Sequence, residues 1–216
     1  MKVSVAMSVR AETDAIRGQL LHYIPLFILS VSLVQVIIFI VGKPELFQLL
    51  LFSYKHLKDV WRYLSYMLLH TDAIHLVLNI TIQCLVASLL EYEQGSLRTG
   101  MVYISGGLAG SIGTSILDPE LSMVGASAGV YAVLLSHISH LVLNWKHLSY
   151  KSYRLISVCS LCTGDVLYNV LHPNLPLISW SAHLSGAIVG LLAGFVFYSR
   201  HSEKRHFIAL EKFYWC

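Results

Sequence analysis

A chain of 216 residues with 56% hydrophobic and only 12% charged residues cannot hide its apolar surface in one water-soluble core. A mean hydropathy of +0.64 puts most of it in lipid. A net charge of +3 with no dense basic block excludes a nucleic-acid binder, and Cys84, Cys159, Cys162 and Cys216 make no disulfide framework, because three of them lie inside apolar runs.

About twenty mixed residues, Glu12 and Asp14 among them, come before the first apolar run, and they lack a signal-peptide pattern. Six apolar segments follow, near 24–41, 74–90, 99–117, 125–143, 155–171 and 177–198. Each approaches the roughly 17–25 residues that a membrane-spanning helix needs. The first is the most uniformly apolar and reads as an ordinary lipid-facing helix. The others carry His, Asn, Ser, Asp or many glycines, so they must face one another. No segment alternates like a strand, and the Cys159–Cys162 pair has no strand before it, so it reads as helix packing. The expected fold class is all-α: a polytopic membrane protein with a six-helix domain over 21–198, a cytoplasmic segment at 1–20 and a short cytoplasmic tail at 199–216.

Orientation follows from Lys and Arg in the connections. Lys2, Arg10 and Arg17 precede the first segment, Arg98 lies in the second connection, and Lys146, Lys151 and Arg154 lie in the fourth. Arg200, Lys204, Arg205 and Lys212 lie in the tail, whereas the third and fifth connections carry no such residue. Both termini are therefore expected in the cytoplasm. The first connection, 42–73, is the exception, because it holds Lys43, Lys55, Lys58 and Arg62 on the outer side. Its length and its Trp61, Tyr63 and Tyr66 predict a folded element in the membrane interface.

With that topology, the polar residues inside the membrane gather on the outer side. Ser127 comes near the outer end of the fourth segment and His183 in the outer third of the sixth. His75 and Asn79, four apart and so on one helix face, come at the outer end of the second. The chemistry assigns roles: His183 takes the Ser127 proton and returns it to the leaving amine. Asn79, His75 and backbone N–H groups at the start of the fourth helix donate to the oxyanion. The ring of Tyr131, one turn past Ser127, supports the imidazole in place of a triad acid. Small residues at Ala182, Gly186, Gly190 and Gly194 face Gly125, Ala128, Gly129 and Ala132, which lets the fourth and sixth helices touch.

His70, His137, His140 and Asp165 read as structural: His70 bonds loop backbone, and Asp165 pairs with a neighbouring helix. No HExxH spacing is present, so no metal is expected. Residues 125–129 spell GxSxG, but the hydrolase elbow of that spelling needs a strand and a parallel sheet.

Together these residues resemble the rhomboid family of intramembrane serine proteases. The matching pieces are Trp61–Arg62; His70 with His75-Leu-Val-Leu-Asn79; Glu91-Tyr-Glu-Gln-Gly95 with Arg98; Gly125-Ala-Ser127-Ala-Gly129-Val-Tyr131; and Ala182-His183-Leu-Ser-Gly186-Ala-Ile-Val-Gly190. They occur in the family's order across 61–194, and the long segment before them resembles the animal secretase-type branch. The resemblance implies a Ser127–His183 dyad without an acid, an oxyanion site from His75, Asn79 and the Ser127 backbone, and no cofactor. It also implies single-pass transmembrane proteins as substrates, whose ectodomains are released, in the secretory pathway or plasma membrane, with the site toward the lumen or outside. Many animal members carry a seventh helix, and Ala128 stands where glycine is common. The rivals are a non-catalytic rhomboid-like protein that binds transmembrane clients and a transporter that uses intramembrane histidines.

One expectation is geometric. Counted from Leu177, His183 would lie about 10 Å into its helix, while Ser127 would lie only about 3 Å into a helix begun at Gly125. The two meet only if residues 119–126 dip into the protein as non-helical chain and the fourth helix starts near Ser127.

Overall fold

The structure, a computed structural model, describes residues 24–171 and 179–200, with the side chains at 165, 166 and 168–171 outside the description. The segment 1–20, most of the tail and the pairing expected of Asp165 therefore lie outside the described residues. The helices in chain order are α1 (Leu26–Val41), α2 (Pro44–Leu50), α3 (Arg62–Ser65), α4 (Ala73–Gln94), α5 (Ser96–Leu117), α6 (Ser127–Asn144), α7 (Lys151–Leu171) and α8 (Trp180–Phe197). All six expected segments are helical, and the fold is all-α. Among the described residues α4, α5, α6 and α8 are long and apolar enough to cross a membrane, and α1 is a shorter apolar helix. This is an integral, multi-pass membrane protein.

Local chemistry sets the boundaries. Asp72 caps α4 by accepting the His75 N–H at 2.9 Å. Gly95, at φ 87°, makes the break that lets α5 begin directly after α4. Ser179 caps α8 by accepting the Ala182 N–H at 3.1 Å, so α8 begins at Trp180.

Helix α6 is central. It packs most closely on α8 and α5 and also on α4 and α7, whereas α7 packs mainly on α6. Close approach depends on missing side chains. A Cβ at Gly186 or Gly190 would overlap the backbone of Ala128 or Ala132, and one at Gly194 would stand 2.8 Å from Ser139. The small-residue stripe on α8 thus works as expected, but its partners on α6 are Ala128, Ala132 and Ser139. Gly129 turns instead to Tyr103 and Met67, and Gly125 to His75.

The polar residues of α1 change its reading as an ordinary lipid-facing helix. Gln83 donates to Gln35 and to Ser32, both at 2.7 Å, and the Tyr103 hydroxyl donates to Gln83 at 3.2 Å. These buried groups satisfy one another, which is the condition for polar side chains to be tolerated away from water. The Glu91 carboxylate on α4 accepts the Phe27 and Ile28 N–H groups at 2.6 and 3.1 Å and so serves the first turn of α1. At the same end of α4, Glu93 holds both guanidinium nitrogens of Arg154, with His140 Nδ1 3.5 Å away.

The first connection is folded, as expected. Its organiser is Arg62, buried, which donates to the carbonyls of Gln48 at 2.6 Å and Leu51 at 2.8 Å and pairs with Asp59 at 2.8 Å. This cation is committed to its own loop, so it does not weigh against the orientation rule as a free charge does. The Tyr66 hydroxyl reaches the Gly107 carbonyl at 2.8 Å and ties the loop to α5.

Candidate active site

Residues 118–126 are turn and irregular chain. Met123, Val124 and Ala126 are buried, Met123 pairs in a single bridge with Phe52, and the Gly125 N–H reaches the Tyr66 carbonyl at 3.0 Å. Gly125 has φ 116°, which only glycine adopts readily, and a Cβ there would stand 3.0 Å from the His75 ring. The segment therefore dips into the protein, and α6 begins at Ser127, both as expected. The stated depths need a correction. Because α8 starts at Trp180, His183 lies about 4.5 Å into its helix, and both residues occupy the first turn of their helices.

There His183 Nε2 stands 2.7 Å from Ser127 Oγ. With the imidazole neutral, the hydroxyl donates and the ring accepts. The Tyr131 ring lies flat on that imidazole, with centroids 4.6 Å apart and planes 21° apart. The stack fixes the ring plane. Trp180, at 6.5 Å, approaches the same imidazole at a tilt.

A cavity of about 330 Å³ opens on these atoms. Its polar lining is His75, Asn79, Ser127, Tyr131 and His183, with Ser160 on α7. Leu78 and Ile82 of α4 and Leu161 and Gly164 of α7 line it as well. The four residues expected to do chemistry are thus brought to one cavity. Gly186 and Gly190 lie at the α6–α8 contact behind it.

The oxyanion candidates differ in what they have free. Helix α6 has no side-chain cap, and its first internal bond runs from the Val130 N–H to the Ala126 carbonyl at 3.1 Å. The helix N-terminus at Ser127 therefore offers backbone donors and a favourable dipole. Asn79 uses one amide N–H on the His75 carbonyl at 3.0 Å, and its NH2 group carries a second.

His70 does not bond loop backbone as expected. It is 5% exposed, and among the described residues neither ring nitrogen has a hydrogen-bond partner. Its ring stands edge-on to His75, with centroids 5.1 Å apart, and burial pushes its pKa down to about 3. His137 is structural, bonded through Nε2 to the Val86 carbonyl at 2.9 Å. Among the described residues no three His, Cys, Asp or Glu side chains gather to hold a metal ion.

Comparison with known proteins agrees with this architecture. The chain is 32% identical over 203 residues to Rhomboid-related protein 3 of Homo sapiens, covering 83% of this chain and 50% of that protein. It is 32% identical over 195 residues to Rhomboid-related protein 2 of Mus musculus, covering 81% and 65%. Inactive rhomboid-related protein 2 of Caenorhabditis elegans is 27% identical over 199 residues, covering 85% and 57%. The chain spans about half to two-thirds of the length of these relatives. A family model, the Rhomboid domain, matches residues 57–200. The protein belongs to the rhomboid family.

Proposed function

We propose that the chain is an intramembrane serine endopeptidase that cuts single-pass transmembrane proteins in or near their membrane segment and releases their ectodomains. The observation that carries this reading is the 2.7 Å bond between Ser127 Oγ and His183 Nε2 at the wall of a cavity. Family membership alone does not decide the matter, because one relative is named inactive.

In the proposed reaction His183 Nε2 takes the Ser127 proton as Oγ attacks the peptide carbonyl carbon, giving a tetrahedral adduct. The oxyanion is met by backbone N–H groups at the start of α6, by Asn79 and by His75. His183 then gives its proton to the leaving amine, the C–N bond breaks, and water repeats the sequence on the acyl-enzyme. Tyr131 keeps the imidazole in plane throughout, so no acid is needed to hold it. The protein's own groups supply every proton transfer in this scheme. A substrate helix must unwind locally for its carbonyl to reach Ser127, which favours helix-weakening residues near the cut. The Lys and Arg distribution supports cytoplasmic termini and a site facing the lumen or outside, in the secretory pathway or plasma membrane.

The test uses the full chain in vesicles with a single-pass reporter whose ectodomain carries a tag. The native protein is expected to release the ectodomain, and Ser127→Ala and His183→Ala to fall to background. Release by Ser127→Ala at the native rate would remove the dyad from the mechanism. No release by the native chain across helix-weakened reporters would favour the client-binding alternative.

A further inference from the structure

The residues behind His75 have a hydrogen-bond order that fixes where its proton sits. Thr71 Oγ1 donates to Asp72 Oδ2 at 2.8 Å and stands 3.1 Å from His75 Nδ1. A hydroxyl has one proton, and a carboxylate can only accept. Asp72 is ionised, since the His75 backbone N–H and the Thr71 hydroxyl hold its carboxyl below the usual carboxylate range. The Thr71 proton is therefore spent on Asp72, and the Thr71 oxygen accepts from Nδ1–H of His75. The other edge of the ring, Cε1 and Nε2, faces Gly125, two residues before Ser127, and His75 lines the cavity.

A neutral ring with its proton on Nδ1 has only a lone pair at Nε2. It cannot donate to an oxyanion from that side. It gains an Nε2–H only by taking up a second proton. We infer that Asp72 and Thr71 are positioning residues that act through His75, making it an oxyanion donor that works only as the imidazolium. This inference rests on the protease reading given above.

Asp72, His70 and His183 are titratable groups that bear on that cation. Asp72 supplies a negative charge, linked through Thr71. His70, 5.1 Å away between centroids, stays neutral down to about pH 3. His183 and Tyr131 share the cavity with His75. His183 is neutral while it accepts from Ser127, and when it takes the proton the developing oxyanion offsets its charge. The activity window is then bounded on both sides: His183 must be unprotonated to act as base, and His75 must be protonated to donate.

The experiment measures the rate at which a fluorophosphonate labels Ser127 in membranes from pH 5.5 to 9, since phosphonylation also develops negative charge on an oxygen at this site. The native rate is expected to rise and then fall with pH. Thr71→Val, which keeps the shape and loses the hydroxyl, frees the neutral ring to carry its proton on Nε2, so it should be labelled about 10-fold faster than native at pH 9, a fraction of the roughly 10²–10³ that a whole oxyanion donor is worth. Thr71→Ser should stay within about 2-fold of native. Asp72→Asn keeps the helix cap through its amide oxygen and puts an NH2 group, which donates, where Oδ2 accepts the Thr71 proton. The Thr71 hydroxyl then donates to His75 Nδ1, the neutral ring carries Nε2–H, and the rate should match native near pH 6 and lose the alkaline fall. Thr71→Val and Asp72→Asn rates that fall at alkaline pH as the native rate does, or a native rate that does not fall by pH 9, would overturn the relay. No labelling of the native chain would overturn the protease reading itself.

Discussion

Replacing Gly186 with alanine should separate the dyad without touching either member. The new methyl carbon would stand 2.9 Å from the Ala128 carbonyl carbon and 3.1 Å from its Cα, and closer still to the carbonyl oxygen. Carbon pairs settle near 3.5–4.0 Å, so α8 must retreat from α6 by about 0.6 Å for the carbon and about 1 Å for the oxygen. Ala128 directly follows Ser127, and Gly186 is three residues past His183. The retreat thus acts on the 2.7 Å bond at full strength and takes it to about 3.5 Å or beyond, the limit of a hydrogen bond. A misplacement of about 1 Å costs on the order of 10²-fold in rate. The assay is the fluorophosphonate labelling rate in membranes, with helix content followed by circular dichroism. Gly186→Ala should lose about 10²-fold with helix content retained. Gly100→Ala is the control: the nearest atoms to its Cβ belong to the Phe27 ring, at 3.1 Å, on the α1 side, away from the α6–α8 contact. It should stay within about 2-fold of native. If Gly186→Ala also stays within about 3-fold, the α6–α8 backbone contact does not set the dyad distance and the reasoning fails.

Glu91→Ala should orphan the Phe27 and Ile28 N–H groups and cost about 2–6 kcal/mol, with Glu91→Gln at about half, because one acceptor oxygen survives. Unfolding in mixed micelles over a range of denaturing detergent measures both, and equal stabilities for native and Glu91→Ala would refute the cap. Stability should also fall as pH drops below about 6.5, where the unfolded chain protonates its His70. The folded ring refuses that proton until about pH 3, so the full contribution is present only above the unfolded value. Thermal unfolding of native and His70→Gln at pH 7.5 and 5 is the check: the native protein should lose more on acidification, and parallel losses would show that His70 is not the group responsible.

Much of this was legible because membrane helices announce themselves. Six apolar runs became six helices, and the depth argument for residues 119–126 needed only the rise per residue and the condition that Ser127 meet His183. Where reading failed, the missing information was lateral. Residues 177–198 give no apolar signal that separates the cap from the helix, although Ser179 three residues before Ala182 is a cap pattern that a closer reading finds. The partners of Gln35, Gln83 and Tyr103 come from three helices, and no spacing within one of them reveals the match. The same holds for Glu91, whose role is to satisfy a helix begun more than sixty residues earlier. The relay behind His75 was hidden for a different reason. Thr71 and Asp72 look like ordinary residues at a helix start, and only the order of donors and acceptors shows that they set a tautomer.

The unequal helix lengths have a consequence for the surrounding lipid. Helix α1 has 16 residues and spans about 24 Å, while α4 and α5, at 22 residues each, span about 33 Å. Tilting shortens the reach of a helix further. Much of α1 faces outward, with Leu33, Ile40 and Val41 among its most exposed residues, so its length must be matched by lipid and not by protein. A hydrocarbon layer of about 30 Å is too thick for α1 and close to right for α4 and α5. The bilayer edge beside α1 is therefore drawn inward, and the protein sits in a dimple that is deeper on one flank than on the other. Such a lopsided footprint favours thinner membranes and aligns the molecule within gradients of bilayer thickness.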